Sequence, residues 1–417
     1  MSANPTPVAI NQPGSGASGW LDRLARRAVR ARLQALQNGS VILIDGGKPS
    51  LFGAQDDSPW ATVRVHDPRF YTEIAFGGSV GAGEAYMRGY WSCDDLTALV
   101  RIMLRNRELL DGMETGLARA SAPALKAFHW LRRNTRRGSR RNIGAHYDLG
   151  NALFALMLDE TMMYSCGIFE HEDSTLYDAS VAKNERICRK LELTPGDHLL
   201  EIGTGWGGFA IHAARHYGCR VTTTTISEEQ YALALERIEK AGLSGRITVL
   251  LEDYRNLKGR YDKLVSIEMI EAVGHAYYDA YFKTCGELLK PKGRMLLQAI
   301  TIADQQYERA KRSVDFIQRY IFPGSCIPSV TALCNAITRA SDMRLSHLED
   351  IGLHYATTLR HWRQRFFANI DRVRALGYPE RFIRMWEFYL CYCEGGFAER
   401  AISDVHILLT RSGYRSQ

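Results

Sequence analysis

The 417-residue chain has no apolar run approaching the roughly 18–20 residues of a helical bilayer span, which argues against an integral helical membrane protein. Its nine cysteines, at 93, 166, 188, 219, 285, 326, 334, 391 and 393, contain no C-x-x-C pair. That scatter argues against a zinc site and, with no export signal, predicts free thiols in the cytoplasm. Residues 1–19 lack the charged and apolar regions of a signal peptide; the stretch is rich in Pro, Gly, Ser and Asn and reads as a disordered tail. Acidic residues are missing from one place. Between Glu114 and Asp148 there is none, while Arg119, Lys126, Arg132, Arg133, Arg136, Arg137, Arg140 and Arg141 supply eight positive charges. The net charge of +7 is concentrated there, and the rest of the chain sits near neutrality. Such a strip suits a polyanion, either nucleic acid or anionic lipid, or else a solvated linker. No nucleic-acid module or interleaved basic and aromatic motif accompanies it, so nucleic acid is not expected as a partner.

What is present in quantity is apolar and aromatic: 46% hydrophobic residues, with 7 Trp, 20 Tyr and 15 Phe, enough for a packed core and aromatic pockets. One stretch organises the rest. The apolar run from Leu199 to Ile202 follows Pro195-Gly196-Asp197, and Gly203-Thr204-Gly205-Trp206-Gly207-Gly208 leads into a helix beginning near Gly207. Glycines there allow a sharp turn and close approach of a ligand to the backbone. A dinucleotide site would carry an acid about 20 residues on, but that place reads Val221-Thr222-Thr223-Thr224-Thr225-Ile226-Ser227; the acid lies inside the motif as Glu201. Further strand-like runs at 219–226, 247–252, 262–269 and 294–301 alternate with helical segments, including 228–241 and 277–289. This predicts an α/β fold with a parallel, doubly wound sheet. Ligands in such sheets bind at the carboxyl ends of the strands, which gathers Gly203, Thr225, Asp253, Glu268 to Glu271 and Gln298 to Ile300 around one crevice. Asp404 to Thr410 reads as a late strand closing the sheet.

Ahead of this lies a small α+β domain over 20–120. Residues 20–36 form a basic amphipathic helix with Leu21, Leu24, Ala28, Ala31 and Ala35 at helical spacing among Arg23, Arg26, Arg27 and Arg30. It suits either a membrane surface or a helix packed on its own domain. A hairpin at 41–48, a strand at 60–66 and a stretch from Gly81 to Met87 leading into a helix that ends near Arg107 complete this domain. An Arg-rich linker over 121–142 joins it to a catalytic region, 143–417. The N-terminal domain is a candidate for membrane docking or for homodimer formation.

The Gly-rich turn with its internal acid resembles that of class I S-adenosylmethionine (SAM) methyltransferases. Several blocks in order extend the likeness: HYDLGN at 146–151, YSCG at 164–167, LEIGTGWGGFA at 200–210, TTTISEEQ at 223–230, SIEMIEAVG at 266–274, LLKPKGRMLLQAI at 288–300, YIFPGSCIPS at 320–329, EDIGLHYATTLRHWRQRF at 349–366 and RMWEFYLCYCEGGF at 384–397. Together they resemble the cyclopropane fatty acid synthase and mycolic acid cyclopropane synthase family. The resemblance implies a seven-stranded, Rossmann-like sheet with helices on both faces. It also implies transfer of a methylene from SAM to the cis double bond of an unsaturated phospholipid acyl chain, on an anionic membrane surface at the inner face of the membrane. An alkene is a poor nucleophile, so the methyl must be held in line with it in a dry site. The resulting carbocation can be stabilised by aromatic faces and must lose a proton for the ring to close, in this family to a bound bicarbonate.

Matched motif to motif, the bicarbonate cradle falls on Cys166, Glu271, Gln298, Ile300 and Tyr355, with Tyr147 near the reacting centre. Cys166 and Ile300 would offer backbone groups, Tyr355 a phenol donor, and Glu271 an acceptor for the bicarbonate O–H. SAM would contact Tyr164, Ser165, Gly203, Gly205, Thr225, Ile226, Gln230 and Asp253, with Glu201 in the same motif. Three positions depart from the family pattern: Gln298 and Ala272 stand where its best-known members have His, and Glu268 is an extra acid in the loop. The rival endings are a methylene- or methyl-branched acyl chain and a small-molecule N-methyltransferase. The block Trp386, Phe388, Tyr389, Tyr392 and Phe397 is expected mainly as core, with one or two rings lining the acyl channel, and 320–324 as a loop near it.

Overall fold

The structure, a computed structural model, describes residues 19–53, 59–108 and 149–415. The tail before residue 19, the Arg-rich strip and Tyr147 lie outside the described residues. The chain divides into two compact units, 1–121 and 122–417.

In the first unit, helix α1 (Trp20–Leu33) is followed by strands β1 (Ser40–Asp45), β2 (Lys48–Gly53) and β3 (Trp60–Val65), helix α2 (Arg69–Met87), strand β4 (Trp91–Cys93) and helix α3 (Leu96–Arg105). The sheet order is β2-β1-β3-β4, with β1 antiparallel to β2 and parallel to β3. The helix expected up to Arg107 is broken: α2 ends at Met87, Gly89 takes a left-handed φ of 76°, and Trp91 turns into β4, its ring buried against Phe70 and Tyr86. α1 carries two apolar lines. Ala25, Val29 and Leu33 are buried, while the expected stripe of Leu21, Leu24, Ala28, Ala31 and Ala35 is exposed, beside an exposed Trp20. Arg26 pairs with Asp45 at 2.8 Å and Arg30 donates to Ser50 at 2.9 Å, so those two arginines fasten the helix to its own domain.

The second unit runs α4 (Asn151–Met157), α5 (Leu176–Leu191), β5 (His198–Ile202), α6 (Gly208–Tyr217), β6 (Arg220–Thr225), α7 (Glu228–Lys240), β7 (Ile247–Leu251), β8 (Tyr261–Ile267), α8 (Tyr278–Leu288), β9 (Leu289–Ile302), α9 (Asp304–Ala310), α10 (Val330–Ala340), β10 (Arg344–Asp350), α11 (Gly352–Ala368), α12 (Ile370–Ala375), α13 (Glu380–Ala398) and β11 (Ile402–Thr410). Its seven strands are ordered β10-β11-β9-β8-β5-β6-β7. β5 to β9 are mutually parallel, and β11 is antiparallel to both neighbours. Because successive strand residues face opposite ways, Leu199, Val265 and Leu296 enter one core with residues of α5, α6 and α7, and Leu200, Leu264 and Leu297 enter another with α8 and α10. Burial on both sides explains the nearly continuous apolar strands. β11 does not end the sheet; β10, mostly exposed, lies outside it. Strand order reverses between β5 and β8, the switch point where α/β sheets open a crevice. Gly203 and Met269, which follow those two strands, meet there: a Cβ on Gly203 would lie 3.5 Å from Met269. Among the described residues, no helix is long and apolar enough to cross a membrane.

Candidate active site

The turn after β5 takes its shape from glycine. Gly203, Gly205 and Gly207 have φ of 105°, 50° and 82°, a region other residues enter at a cost. Gly203 and Thr204 donate their N–H groups to the Thr224 carbonyl, tying the turn to β6. A Cβ on Gly205 would meet nothing within 4 Å, so the turn faces open space, as a cradle for a ligand requires. Around it, the Thr225 hydroxyl donates to Gln230 Oε1 at 2.9 Å, Ile226 is half-buried, and Asp253 accepts from Arg255 through both oxygens, at 2.8 and 2.6 Å. Glu201 contributes differently from its neighbours. Its carboxyl is buried and accepts from Thr223 Oγ at 2.6 Å, and Thr223 is bonded to Thr204 in the turn at 2.7 Å. It braces the turn through two hydroxyls instead of presenting a carboxylate to the crevice. Burial pushes it up to about 8.

Next to the turn, the ends of β8, β9 and β11 and the face of α11 assemble a cluster of acids. Glu268, just past β8, sits at φ 48°, in the left-handed region. Its Oε1 accepts from the Cys166 N–H at 2.7 Å and from Gln298 Nε2 at 2.8 Å, and its Oε2 accepts from the Tyr355 hydroxyl at 2.5 Å. Glu268 is nevertheless only half-buried. Glu271, in the short turn 270–272, accepts from the Ile300 N–H with Oε1 at 2.5 Å, while its buried Oε2 finds no partner among the described residues. Burial, reinforced by the Glu268 charge, raises Glu271 to about 8. The buried Cys166 thiol is pushed far up by burial and the nearby acids, so it stays protonated.

Gln298 is oriented by a chain that reaches the protein surface. Its Nε2 donates to Glu268 and to Asp404 Oδ2, each at 2.8 Å, and its Oε1 accepts from His406 Nε2 at 3.1 Å. Gln298 and His406 are directly opposite across β9 and β11, and Asp404 is two residues along on the same face. His406 is buried and kept neutral by burial and nearby cations. Its Nδ1 faces Lys190 Nζ at 3.1 Å, which pairs in turn with Glu349. With Lys190 donating to Nδ1, the proton sits on Nε2, and that fixes which way the Gln298 amide points. Burial raises both Glu268 and Asp404. Asp404 is lifted further by the charges of Glu268 and Glu271, whereas Glu268 is drawn back by its donors and by Lys183, so the proton of this pair rests on Asp404. Lys183, fully buried on α5, donates to Ser165 Oγ at 3.1 Å and is lowered by burial to about 8.

Aromatic rings close the other side. The Tyr164 ring packs against Phe154, Trp362 and Phe322, with centroids at 5.1, 5.0 and 6.5 Å, and its hydroxyl bonds that of Tyr389 at 2.8 Å. Tyr355 meets Trp362 edge-on at 5.9 Å and stacks on Phe397 at 4.4 Å. Trp386, Phe388, Tyr389 and Phe397 are buried; of that block, Tyr389 and Phe397 touch site residues, as does Phe322 from the 320–324 loop.

The family described as mycolic acid cyclopropane synthetase matches residues 134–407, about two thirds of the chain. The chain belongs to that family. It is 39% identical to the cyclopropane-fatty-acyl-phospholipid synthase of Escherichia coli K12 over 84% of this chain and 88% of that one. It is 37% identical to the tuberculostearic acid methyltransferase UfaA1 of Mycobacterium tuberculosis over 88% and 85%. Among solved structures, the mycolic acid cyclopropane synthase CmaA1, complexed with SAH and CTAB, superposes with a TM-score of 0.61 at 31% identity, covering 65% of this chain and 98% of that one. This family member is therefore a SAM-dependent methyltransferase with the class I fold.

The glycine turn, its open space and the polar residues around it fit SAM. The same test goes against bicarbonate. Three of its five expected contacts, from Cys166, Gln298 and Tyr355, are directed at Glu268, and a fourth, the Ile300 N–H, at Glu271. These residues do not fit a bicarbonate ion in addition. Lys183, Asp404, His406 and Trp362 were not singled out from the sequence. Asp404 and His406 lie in a strand that was legible, so its period of two could have flagged them as facing one side together.

Proposed function

We propose that this enzyme transfers a one-carbon unit from SAM to the cis double bond of an unsaturated phospholipid acyl chain and closes it to a cyclopropane. The observation that carries this reading is the meeting, at one switch point, of an open glycine turn, a group of aromatic faces and acids, one of which keeps an oxygen that no described residue pairs. When bound, SAM supplies an electrophilic sulfonium methyl. Gly203, Gly205, Thr225, Ile226, Gln230 and Asp253 would hold it, together with Tyr164 and Ser165. The rings of Tyr164, Phe322, Tyr355 and Trp362 exclude water and offer π faces to a carbocation. A buried carboxyl oxygen without a partner is costly unless a ligand meets it, which supports Glu271 Oε2 as a group directed at the developing charge.

Location at a membrane surface belongs to the same proposal. The exposed line of Trp20, Leu21, Leu24, Ala28, Ala31 and Ala35 on α1, with Arg23 and Arg27 in the same helix, has the composition of an interfacial helix. The Arg-rich strip adds charge for anionic headgroups on the cytoplasmic side, at about 1 kcal/mol per residue near the surface. The methyl-branched ending is a second reading, favoured by the 37% identity to a tuberculostearic acid methyltransferase. Methyl-labelled SAM, offered with liposomes of cis-unsaturated or fully saturated phospholipid, tests the substrate class. Label entering only the unsaturated acyl chains is expected; label in headgroups, or equal label in saturated lipid, would contradict the reading.

A further inference from the structure

We propose that the Glu268 carboxylate does in this enzyme the work of a captured bicarbonate: it accepts the proton released by the carbocation, so turnover needs no bicarbonate. This rests on the reading just given, that a lipid double bond is methylated. Three independent observations lead to it. The first is occupancy. Cys166 N–H, Gln298 Nε2 and Tyr355 O–H, donors suited to a small trigonal oxyanion, converge within 2.5–2.8 Å on the two oxygens of one side chain. A carboxylate and a bicarbonate present the same planar pair of oxygens to such donors. The second is backbone conformation. Glu268 holds φ 48°, which glycine adopts freely and a glutamate adopts at a cost; strain kept at a site points to a use for the side chain. The third is access. Glu268 stays half-buried while Gln298, Asp404 and Tyr355 around it are buried, so part of it remains accessible.

Placing the base on the chain also removes the need to recruit it. A tethered group acts at high effective concentration, and buried Lys183, whose charge acts on Glu268, balances it where a free ion would bring its charge from solution. The atoms balance as follows. The alkene π pair forms a carbon–carbon bond to the methyl as the sulfur–methyl bond breaks and leaves its pair on sulfur. The neighbouring carbon becomes cationic. Glu268 takes a proton from the new methyl, and the released C–H pair closes the three-membered ring. The resulting carboxylic acid returns its proton to water between turnovers. Loss of a proton from another carbon would leave an alkene with the same balance, so the proposal is independent of which product forms.

The test uses the full-length protein in CO2-depleted buffer, with and without added bicarbonate, comparing wild type, Glu268→Gln and Glu268→Gly. Wild-type turnover should change less than two-fold, and both variants should lose about 100-fold or more, the scale of a general base. Glycine suits the backbone there, and SAH affinity and melting temperature report whether each variant is folded. Bicarbonate should restore at least part of the activity of Glu268→Gly but not of Glu268→Gln, whose amide still fills the space. A second readout needs no lipid turnover. Carbon-13 bicarbonate should show exchange broadening with the SAH-loaded Glu268→Gly protein and none with wild type. Wild-type activity that collapses without bicarbonate, wild-type binding of the ion, or a folded Glu268→Gly fully active without it would each overturn the proposal. If no protein made a lipid product, the substrate reading would fail while the binding experiment still decided whether Glu268 fills the cradle.

Discussion

Replacing Glu201 by Gln should stabilise the enzyme, and by an amount that depends on pH. The carboxyl is buried, bonded among the described residues only to Thr223 Oγ at 2.6 Å, and is pushed from the ordinary 4.5 up to about 8, chiefly by desolvation. Between those two values the folded protein binds a proton that the unfolded chain does not, so this group's contribution becomes more unfavourable as pH rises from 4.5 through 8 and vanishes below 4.5. At pH 7 the gap of about 2.5 pH units, at about 1.36 kcal/mol each, amounts to about 3 kcal/mol. Glutamine has nearly the same shape, still accepts from Thr223 and has no proton to bind. Glu201→Gln should therefore gain up to about 3 kcal/mol at pH 7, or roughly 6–12 °C in melting temperature for a domain of this size. The gain should shrink below about 0.5 kcal/mol at pH 4.5. SAM affinity should move less than two-fold, because the carboxyl reaches the turn only through Thr223 and Thr204. Denaturant titrations at pH 5, 7 and 8 measure the difference directly. Parallel curves with no pH-dependent gap, or a variant less stable at pH 7, would refute the reasoning.

Three further outcomes follow from the same geometry. Glu271→Gln keeps the acceptor for the Ile300 N–H, so SAM affinity should hold within about two-fold while turnover at pH 8.5 falls by on the order of 100-fold, the scale of one lost electrostatic contact to the transition state. Since Glu271 is raised to about 8, it is mostly ionised at pH 8.5 and mostly protonated at 6.5; the deficit should be larger at the higher pH, and equal losses of affinity and turnover would assign it to cofactor or fold instead. His406→Leu removes the partner of Gln298 Oε1 and should cost about 1–3 kcal/mol of stability, with kcat falling and SAM affinity unchanged; unaltered kcat would disconnect the chain from Lys190 to Gln298. The double substitution of Trp20 and Leu24 by Ser should weaken liposome binding at least about ten-fold, since each apolar side chain buried in lipid is worth about 1.5–3 kcal/mol, with SAM affinity unaffected; unchanged flotation would remove α1 from the membrane surface.

Much of the molecule was legible because its signals are local. Leu199 to Gly208 declares a strand, a turn and a helix within ten residues, and the strand-like runs at 219–226, 247–252, 262–269 and 294–301 needed only their order to predict a parallel sheet. The site residues Cys166, Gln298, Ile300 and Tyr355 were named from motifs, and the fold brings their polar groups to the two acids after β8. What escaped depends on distant pairing. That Asp404 and His406 share a face with Gln298 follows from β11 pairing with β9 across more than a hundred residues. Lys183 sits in the charged run Lys183-Asn184-Glu185-Arg186, which reads as a solvated helix face until α5 is packed against the sheet. β10 goes unassigned in the sequence because an exposed edge strand has no buried apolar face to reveal it. On α1 the sequence leaves two surroundings open for the leucine stripe; Ala25, Val29 and Leu33 face the domain, and the more visible stripe stays outside.

The most direct test of the account is the acyl product itself. Purified enzyme, SAM and liposomes of a cis-monounsaturated phospholipid would be incubated, and the released fatty acids read by mass and proton NMR. A gain of one methylene with upfield cyclopropane protons and loss of the olefinic signal is the predicted result. A one-carbon gain with olefinic or branched-methyl signals would contradict ring closure, and SAM consumed with no lipid product across several unsaturated phospholipids would contradict the lipid reading altogether.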